Sequence, residues 1–225
     1  HIDDFATWIA DLRMFWGGWK SENPGPHVVM AHSMGGHLAM RALVERAIDP
    51  DAVVMSAPML SIQTGGLPLS WNHAFAKLMV TLGKGEVAAW KVSEKPMSPM
   101  SMRGKMLTHD DDRYEDEIAW WKLRPNVKLG PPSWHWIERA IASIRMLEAP
   151  GLLEAVQTPI LLLATTGDQL VSTPRVIADG KRLPHAETLI FGKEAAHELL
   201  READPVRDQC IARINSFLDA HAPRT

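Results

Sequence analysis

The stretch His27-Val28-Val29-Met30-Ala31-His32-Ser33-Met34-Gly35-Gly36-His37-Leu38 constrains the fold more than any other part of the chain. Val28 to Ala31 form an unbroken apolar run, which reads as a parallel strand buried on both faces and paired on both edges. A helical pattern begins at Met34, so the chain must turn from strand to helix at Ser33. Ala31 and Gly35 stand two positions either side of that serine. This is the small-x-Ser-x-small spacing of a nucleophile elbow, with Ala in place of the usual first glycine. Such a turn holds the serine in a strained conformation, and bulky neighbours at 31 and 35 are expected to collide. The helix aims its positive end and free N–H groups at the turn, so the Met34 backbone N–H is a candidate oxyanion donor.

Around the elbow the chain has an α/β rhythm. Ile2, Phe5, Ile9, Leu12, Phe15 and Trp16 predict an amphipathic helix over 2–19, ending near Gly17-Gly18. Strand 27–31, a helix over 34–47 and a second strand, Ala52 to Ser56, make a βαβ unit with parallel strands. From about residue 60 to 150 helical segments near 71–82, 112–123 and 133–148 follow one another, the last with Ser133 as N-cap. The rhythm then resumes with a strand over 159–165, a helix over 174–182, a strand over 188–191 and a final helix opened by Asp204 as N-cap and Pro205 at the first position. The division expected is 1–60 as first part of an α/β core, 61–150 as helical cap, and 151–225 as the rest of the core.

A serine hydroxyl needs a base to take its proton, and the base needs an orienting partner. In a parallel sheet such groups gather at the carboxyl ends of the strands. Asp168 follows strand 159–165 and His197 follows strand 188–191, giving the chain order Ser33, Asp168, His197. Each has an ordinary alternative, Asp168 as a turn former and His197 as a surface histidine. Other constellations are weaker. Gly83-Lys84-Gly85 with Ala88 mimics a dinucleotide fingerprint but lies in the helical region. His109-Asp110-Asp111-Asp112 lacks the glycine of a calcium loop and reads as an acidic helix start. No metal site and no cofactor are expected.

Composition bounds the function. A net charge of −3 gives no basic field for nucleic acid. One cysteine, Cys210, excludes an intrachain disulfide framework and fits a reducing compartment. No apolar run approaches the ~20 residues of a membrane span. Of the 12 Met and 9 Trp, many fall between 55 and 136: Met55, Met59, Met79, Met97, Met100, Met102 and Met106, with Trp71, Trp90, Trp120, Trp121, Trp134 and Trp136. Adaptable Met and amphipathic Trp suit a surface that meets an acyl chain, as well as a small core for the helices themselves.

Ala-His-Ser-Met-Gly-Gly-His at 31–37, Ser-Ala-Pro-Met at 56–59, Gly-Asp-Gln-Leu-Val at 167–171 and Ala-His-Glu-Leu-Leu at 196–200 resemble the α/β-hydrolase family of bacterial lysophospholipases (L2 type) and monoacylglycerol lipases. His1-Ile-Asp-Asp-Phe with Asp11-Leu12 resembles the helix before the elbow strand in that family. The resemblance implies an α/β-hydrolase fold with a helical cap after the second strand, and a catalytic triad of Ser33, Asp168 and His197. It implies hydrolysis of monoacyl lipid esters, in the cytoplasm with peripheral contact at the inner membrane face. A short-chain esterase or an S33-type peptidase fits the same scaffold, and a non-catalytic binding module or inactive fragment is the rival of another class. The family has several strands before this point, including a loop that supplies a second oxyanion donor. The chain therefore reads as a fragment in which one edge of strand 27–31 has no partner, expected to be poorly stable and nearly inactive alone.

Overall fold

The computed structural model describes residues 3–89 and 102–223. Of the residues singled out above, His1, Ile2, Trp90, Met97, Met100 and the side chain of Met102 lie outside the described part.

The apolar runs pair as a parallel sheet in chain order: β1 (Val28–His32), β2 (Ala52–Ser56), β3 (Ile160–Thr165) and β4 (Ala186–Phe191). Val29 lies opposite Val53, Val54 opposite Leu161, and Leu162 opposite Thr188. Alternate residues of the inner strands face opposite layers. Val53, Met55, Ile160 and Leu162 pack with Ile9 and Trp16 of α1 (Phe5–Glu22), Met40 of α2 (Met34–Val44) and Val176 of α7 (Thr173–Gly180). Ala52, Val54, Leu161 and Leu163 pack with Cys210, Ile214 and Phe217 of α8 (Asp204–His221). Burial on both faces is why β2 and β3 are continuous apolar runs rather than alternating ones.

Among the described residues β1 pairs with β2 alone, and its residues are half-buried or exposed, with Met30 at 55% exposure. α1 does not stop at Gly17-Gly18 but runs on to Glu22. Tertiary contacts override the glycines: buried Trp16 donates to Asp49 at 2.7 Å and packs against Trp19, and Lys20 reaches the same carboxylate at 2.6 Å. α8 is capped by Ala203, so Asp204 and Pro205 are its first two residues. The Asp204 carboxylate pairs with Arg113 and Arg207 instead.

Between β2 and β3 lies a helical insert: α3 (Leu69–Met79) running into a π turn over Val80–Lys84, then α4 (Met102–Leu107), α5 (Asp111–Leu123) and α6 (Trp134–Met146). Ser133 caps α6 by accepting the Trp136 N–H at 3.1 Å, and Asp110 caps α5 by accepting that of Arg113 at 3.0 Å. Gly83 sits inside the π turn with φ 72°, so Gly83-Lys84-Gly85 is a helix break.

α6 is fastened to α2 by a buried polar cluster. Arg41 donates to Ser143 Oγ at 3.0 Å, and the Ser143 hydroxyl lies 2.6 Å from His37 Nε2. When the imidazole is neutral with Nε2 unprotonated, the Ser143 hydroxyl can donate to it while accepting from Arg41. Burial, reinforced by the Arg41 charge, lowers the His37 pKa from 6.5 to about 3. The unfolded chain therefore binds a proton that the folded chain refuses. His37 costs nothing above about pH 6.5 and destabilises the fold as pH falls from there towards 3. Chemical denaturation between pH 7 and 4 should show stability falling by about 1.4 kcal/mol per pH unit for each such histidine. His37→Gln should remove one histidine's share of that slope; an unchanged slope would mean that His37 is not the group being titrated.

Candidate active site

Each of the three side chains follows the carboxyl end of a strand. Ser33 closes β1 with φ 51° and ψ −119°, a left-handed conformation rare for a residue with a Cβ. Its N–H donates to Ser56 O at 3.0 Å, and its carbonyl accepts from His37 N at 3.2 Å and Met59 N at 2.9 Å. The peptide on both sides of the serine is thus held by β2, by the turn after β2 and by α2. Met34 opens α2, so its N–H has no carbonyl partner within the helix and faces the serine end.

The glycine requirement falls elsewhere than the spacing suggests. A Cβ on Gly35 would meet nothing within 4 Å, whereas one on Gly36 would lie 2.7 Å from Pro58 Cβ and 3.0 Å from its Cα. Close packing of α2 on the turn after β2 is what needs a glycine here.

Asp168 acts through both oxygens. Oδ1 accepts the N–H groups of Leu170 and Val171 at 2.8 and 2.9 Å, and Oδ2 lies 2.7 Å from His197 Nδ1. The turn-forming and the orienting readings of this aspartate therefore describe one residue. The turn is laced to the loop after β4 by Thr165, whose hydroxyl donates towards Gly192 O at 2.5 Å and Ala195 O at 2.9 Å and accepts the Gly167 N–H at 3.0 Å. A Cβ on Gly167 would sit 2.3 Å from Ala195 O, so only glycine lets the two loops approach. His197 is 3% exposed, and its Nε2 lies 2.9 Å from Ser33 Oγ. The sequence-predicted residues Ser33, Asp168 and His197 thus form one hydrogen-bonded line, with Nδ1–H donated to the carboxylate and Nε2 free to accept from the hydroxyl.

His32 is part of this site although its sequence position gave no signal beyond adjacency to Ser33. Its ring packs on that of His197 with centroids 4.8 Å apart, and Nδ1 donates to Ser56 O at 3.0 Å. Desolvation of the ring, then the neighbouring His197, pushes its pKa down to about 4. A neutral ring is therefore what His197 meets on that side.

The family model described as Hydrolase_4, serine aminopeptidase, S33, matches residues 1–204. The chain belongs to this family. Lysophospholipase L2 of Escherichia coli (strain K12) is 26% identical over 98% of the chain and 66% of its own length. A probable lysophospholipase L2 of Haemophilus influenzae is 22% identical over 99% of the chain and 69% of its own length. The chain thus spans about two thirds of these curated relatives. Among solved structures, a soluble variant of monoglyceride lipase from Saccharomyces cerevisiae superposes with TM-score 0.72 at 14% identity, covering 98% of this chain and 70% of that one. A carboxyl esterase from Bacillus coagulans gives 0.68 at 18% identity, covering 98% and 73%. These likenesses establish the α/β-hydrolase fold.

A pair of substitutions separates the two glycines of the family's elbow. Gly36→Ala should destabilise by about 1–3 kcal/mol, because Pro58 backbone as well as side chain must shift. Gly35→Ala should be tolerated or slightly stabilising, since it adds a methyl in open space on a helix. Urea unfolding of both variants checks this; equal losses would refute the Gly36–Pro58 contact as the constraint.

Proposed function

We propose that the chain carries the catalytic centre of a serine hydrolase for esters of monoacyl lipids, lysophospholipids or monoacylglycerols, with Ser33 as nucleophile. The observation that carries the reading is the hydrogen-bonded line from Ser33 Oγ through His197 to Asp168, at 2.9 and 2.7 Å. His197 Nε2 takes the hydroxyl proton as Ser33 Oγ bonds to the ester carbonyl carbon, and the carbonyl oxygen becomes an oxyanion facing the Met34 N–H. Collapse breaks the bond to the alcohol oxygen, which leaves with the proton from His197. Water then gives a proton to His197 and its oxygen to the acyl carbon, releasing the fatty acid and restoring Ser33. Asp168 fixes the Nδ1–H tautomer and stabilises the imidazolium that forms twice in the cycle.

The lipid part of the reading rests on the relatives' names and on the helical insert, which takes the role of a cap over residues 61–150. Along α3 and its extension Leu67, Trp71, Phe75, Leu78 and Leu82 are all at least half exposed and recur at three- and four-residue steps. Such a stripe suits a face that meets a lipid surface, with Trp71 at the interface. The contact we propose is peripheral, at the inner face from the cytoplasm; among the described residues no helix is long and apolar enough to cross a membrane. The family description, serine aminopeptidase, favours a second reading, in which the same centre cleaves an N-terminal peptide bond.

In the full-length protein Ser33→Ala should lower kcat by several orders of magnitude while leaving the fold intact, and should abolish labelling by a fluorophosphonate. Retention of more than about a tenth of the activity would remove Ser33 from the nucleophile's role; a wild-type protein that does not label would favour a non-catalytic module.

A substrate panel decides the class. Monoacyl esters should outrun aminoacyl amides, and kcat/KM should rise from C4 to C12, since each buried methylene contributes ~0.8 kcal/mol. Trp71→Ser with Phe75→Ser should lower turnover of vesicle-borne substrate more than that of a soluble ester. A flat chain-length profile points to a short-ester enzyme, faster amide cleavage to the peptidase, and equal losses on both presentations would exclude the stripe as a lipid-facing surface.

A further inference from the structure

We propose that Glu202 is a positioning residue of this site, pinning a strap of the helical insert onto the loop that carries His197; the proposal rests on the hydrolase reading above. Glu202 is fully buried, at 0% exposure, just past the short helical turn Leu199–Arg201. Its Oε1 accepts the Ala196 N–H at 2.6 Å and the His109 Nδ1–H at 2.9 Å, and its Oε2 accepts the His109 backbone N–H at 3.0 Å. These side-chain contacts are all N–H donors, so the carboxylate serves purely as an acceptor. One donor belongs to the residue before His197, and two belong to a residue far away in the insert.

The same two segments meet through their backbones. The His197 N–H donates to Met106 O at 3.2 Å and the Glu198 N–H to Leu107 O at 2.8 Å. Thr108 Oγ1 donates to Arg201 O at 2.7 Å, and the Arg113 guanidinium reaches the Glu202 carbonyl. Residues 106–109 thus supply partners that the loop after the edge strand β4 cannot find in the sheet. Buried N–H groups left without acceptors are costly, so the loop takes this shape only with the strap in place. His197 Nε2 must meet Ser33 Oγ at hydrogen-bond distance, and a displacement of about 1 Å at such a contact can cost ~100-fold in rate. A glutamine at 202 would keep the size of the side chain but turn an N–H₂ towards an N–H donor. The effect is exerted through His197 and not on substrate.

The test uses the full-length protein, a soluble short-chain p-nitrophenyl ester, a fluorophosphonate, and amide hydrogen exchange across residues 195–199. Glu202→Gln should lower kcat and the phosphonate acylation rate by ~10- to 100-fold with KM within about twofold, and should speed exchange at 196–198. His109→Ala should give a smaller loss of the same kind, and His109→Gln, which can still donate to Oε1, should recover most of it. A residue that merely supports the fold would lower the melting temperature and leave kcat and local exchange unchanged in the folded protein, and that outcome overturns the proposal. So does a loss confined to KM. Where Glu202→Gln fails to fold, His109→Ala decides, since that side chain is half exposed: wild-type kcat and exchange in it overturn the proposal. A wild-type protein inert to the phosphonate instead refutes the hydrolase reading, and the exchange measurement still decides whether Glu202 holds the loop.

Discussion

The backbone of Ser33 is the constraint on which the rest depends. A residue with a Cβ held at φ 51° costs of order 1–3 kcal/mol, so it persists only where its surroundings over-determine it. Here the surroundings are specific. Ser56 accepts its N–H, while His37 and Met59 donate to its carbonyl, so β2 and α2 both grip the same turn. Pro58 lies against Gly36, so the turn after β2 can approach α2 closely enough to deliver the Met59 N–H. The strain is therefore stabilised by the βαβ unit itself. Its result is a hydroxyl held past the strand end and an N–H at the head of a helix beside it.

Asp168 and His197 are brought to that hydroxyl by loops that hold each other. Thr165 at the end of β3 bonds two carbonyls of the loop after β4, and Gly167 leaves room for Ala195 O. Asp168 uses one oxygen in its own turn and the other on His197, so the carboxylate is held by its turn as well as by the imidazole. His32 closes the opposite side with a neutral ring. A positive charge on the His32 ring would be opposed by its packing against His197 and by repulsion from that imidazole when protonated.

Much of this was legible in the sequence, and the parts that were not share a cause. β2 and β3 announce themselves because both faces are buried, and the elbow because its chemistry is local. Asp168 and His197 could be placed since each follows an apolar run. The extension of α1 past Gly17-Gly18 was missed because its anchor, Trp16 on Asp49, is made across the fold. The apolar run of β1 marks the strand, and its parallel pairing follows from the helix that links it to β2. The elbow spacing put weight on Gly35, while the close approach is at Gly36 and depends on Pro58. Glu202 reads as an ordinary surface acid at the head of a helix; only the approach of His109 and Ala196 shows why a carboxylate sits there.

The helical insert reaches the site from two directions. Through Ser143 of α6 it is locked to His37 and Arg41 on α2, the helix that begins at the serine. Through residues 106–109 it supplies acceptors to the backbone of His197 and Glu198. The insert therefore bonds to the helix that follows Ser33 and to the backbone of His197, while contributing no side chain to the hydrogen-bonded line. An insert tied down this way cannot move as a simple flap: lifting α6 would break the buried Arg41–Ser143–His37 cluster, and lifting the strap would strip the histidine loop of its partners. Both displacements leave buried polar groups unsatisfied, which the low-dielectric interior penalises heavily. α3 and the π turn that follows it make neither set of contacts; there Trp71, Phe75, Leu78 and Leu82 are exposed and the backbone is already broken at Gly83.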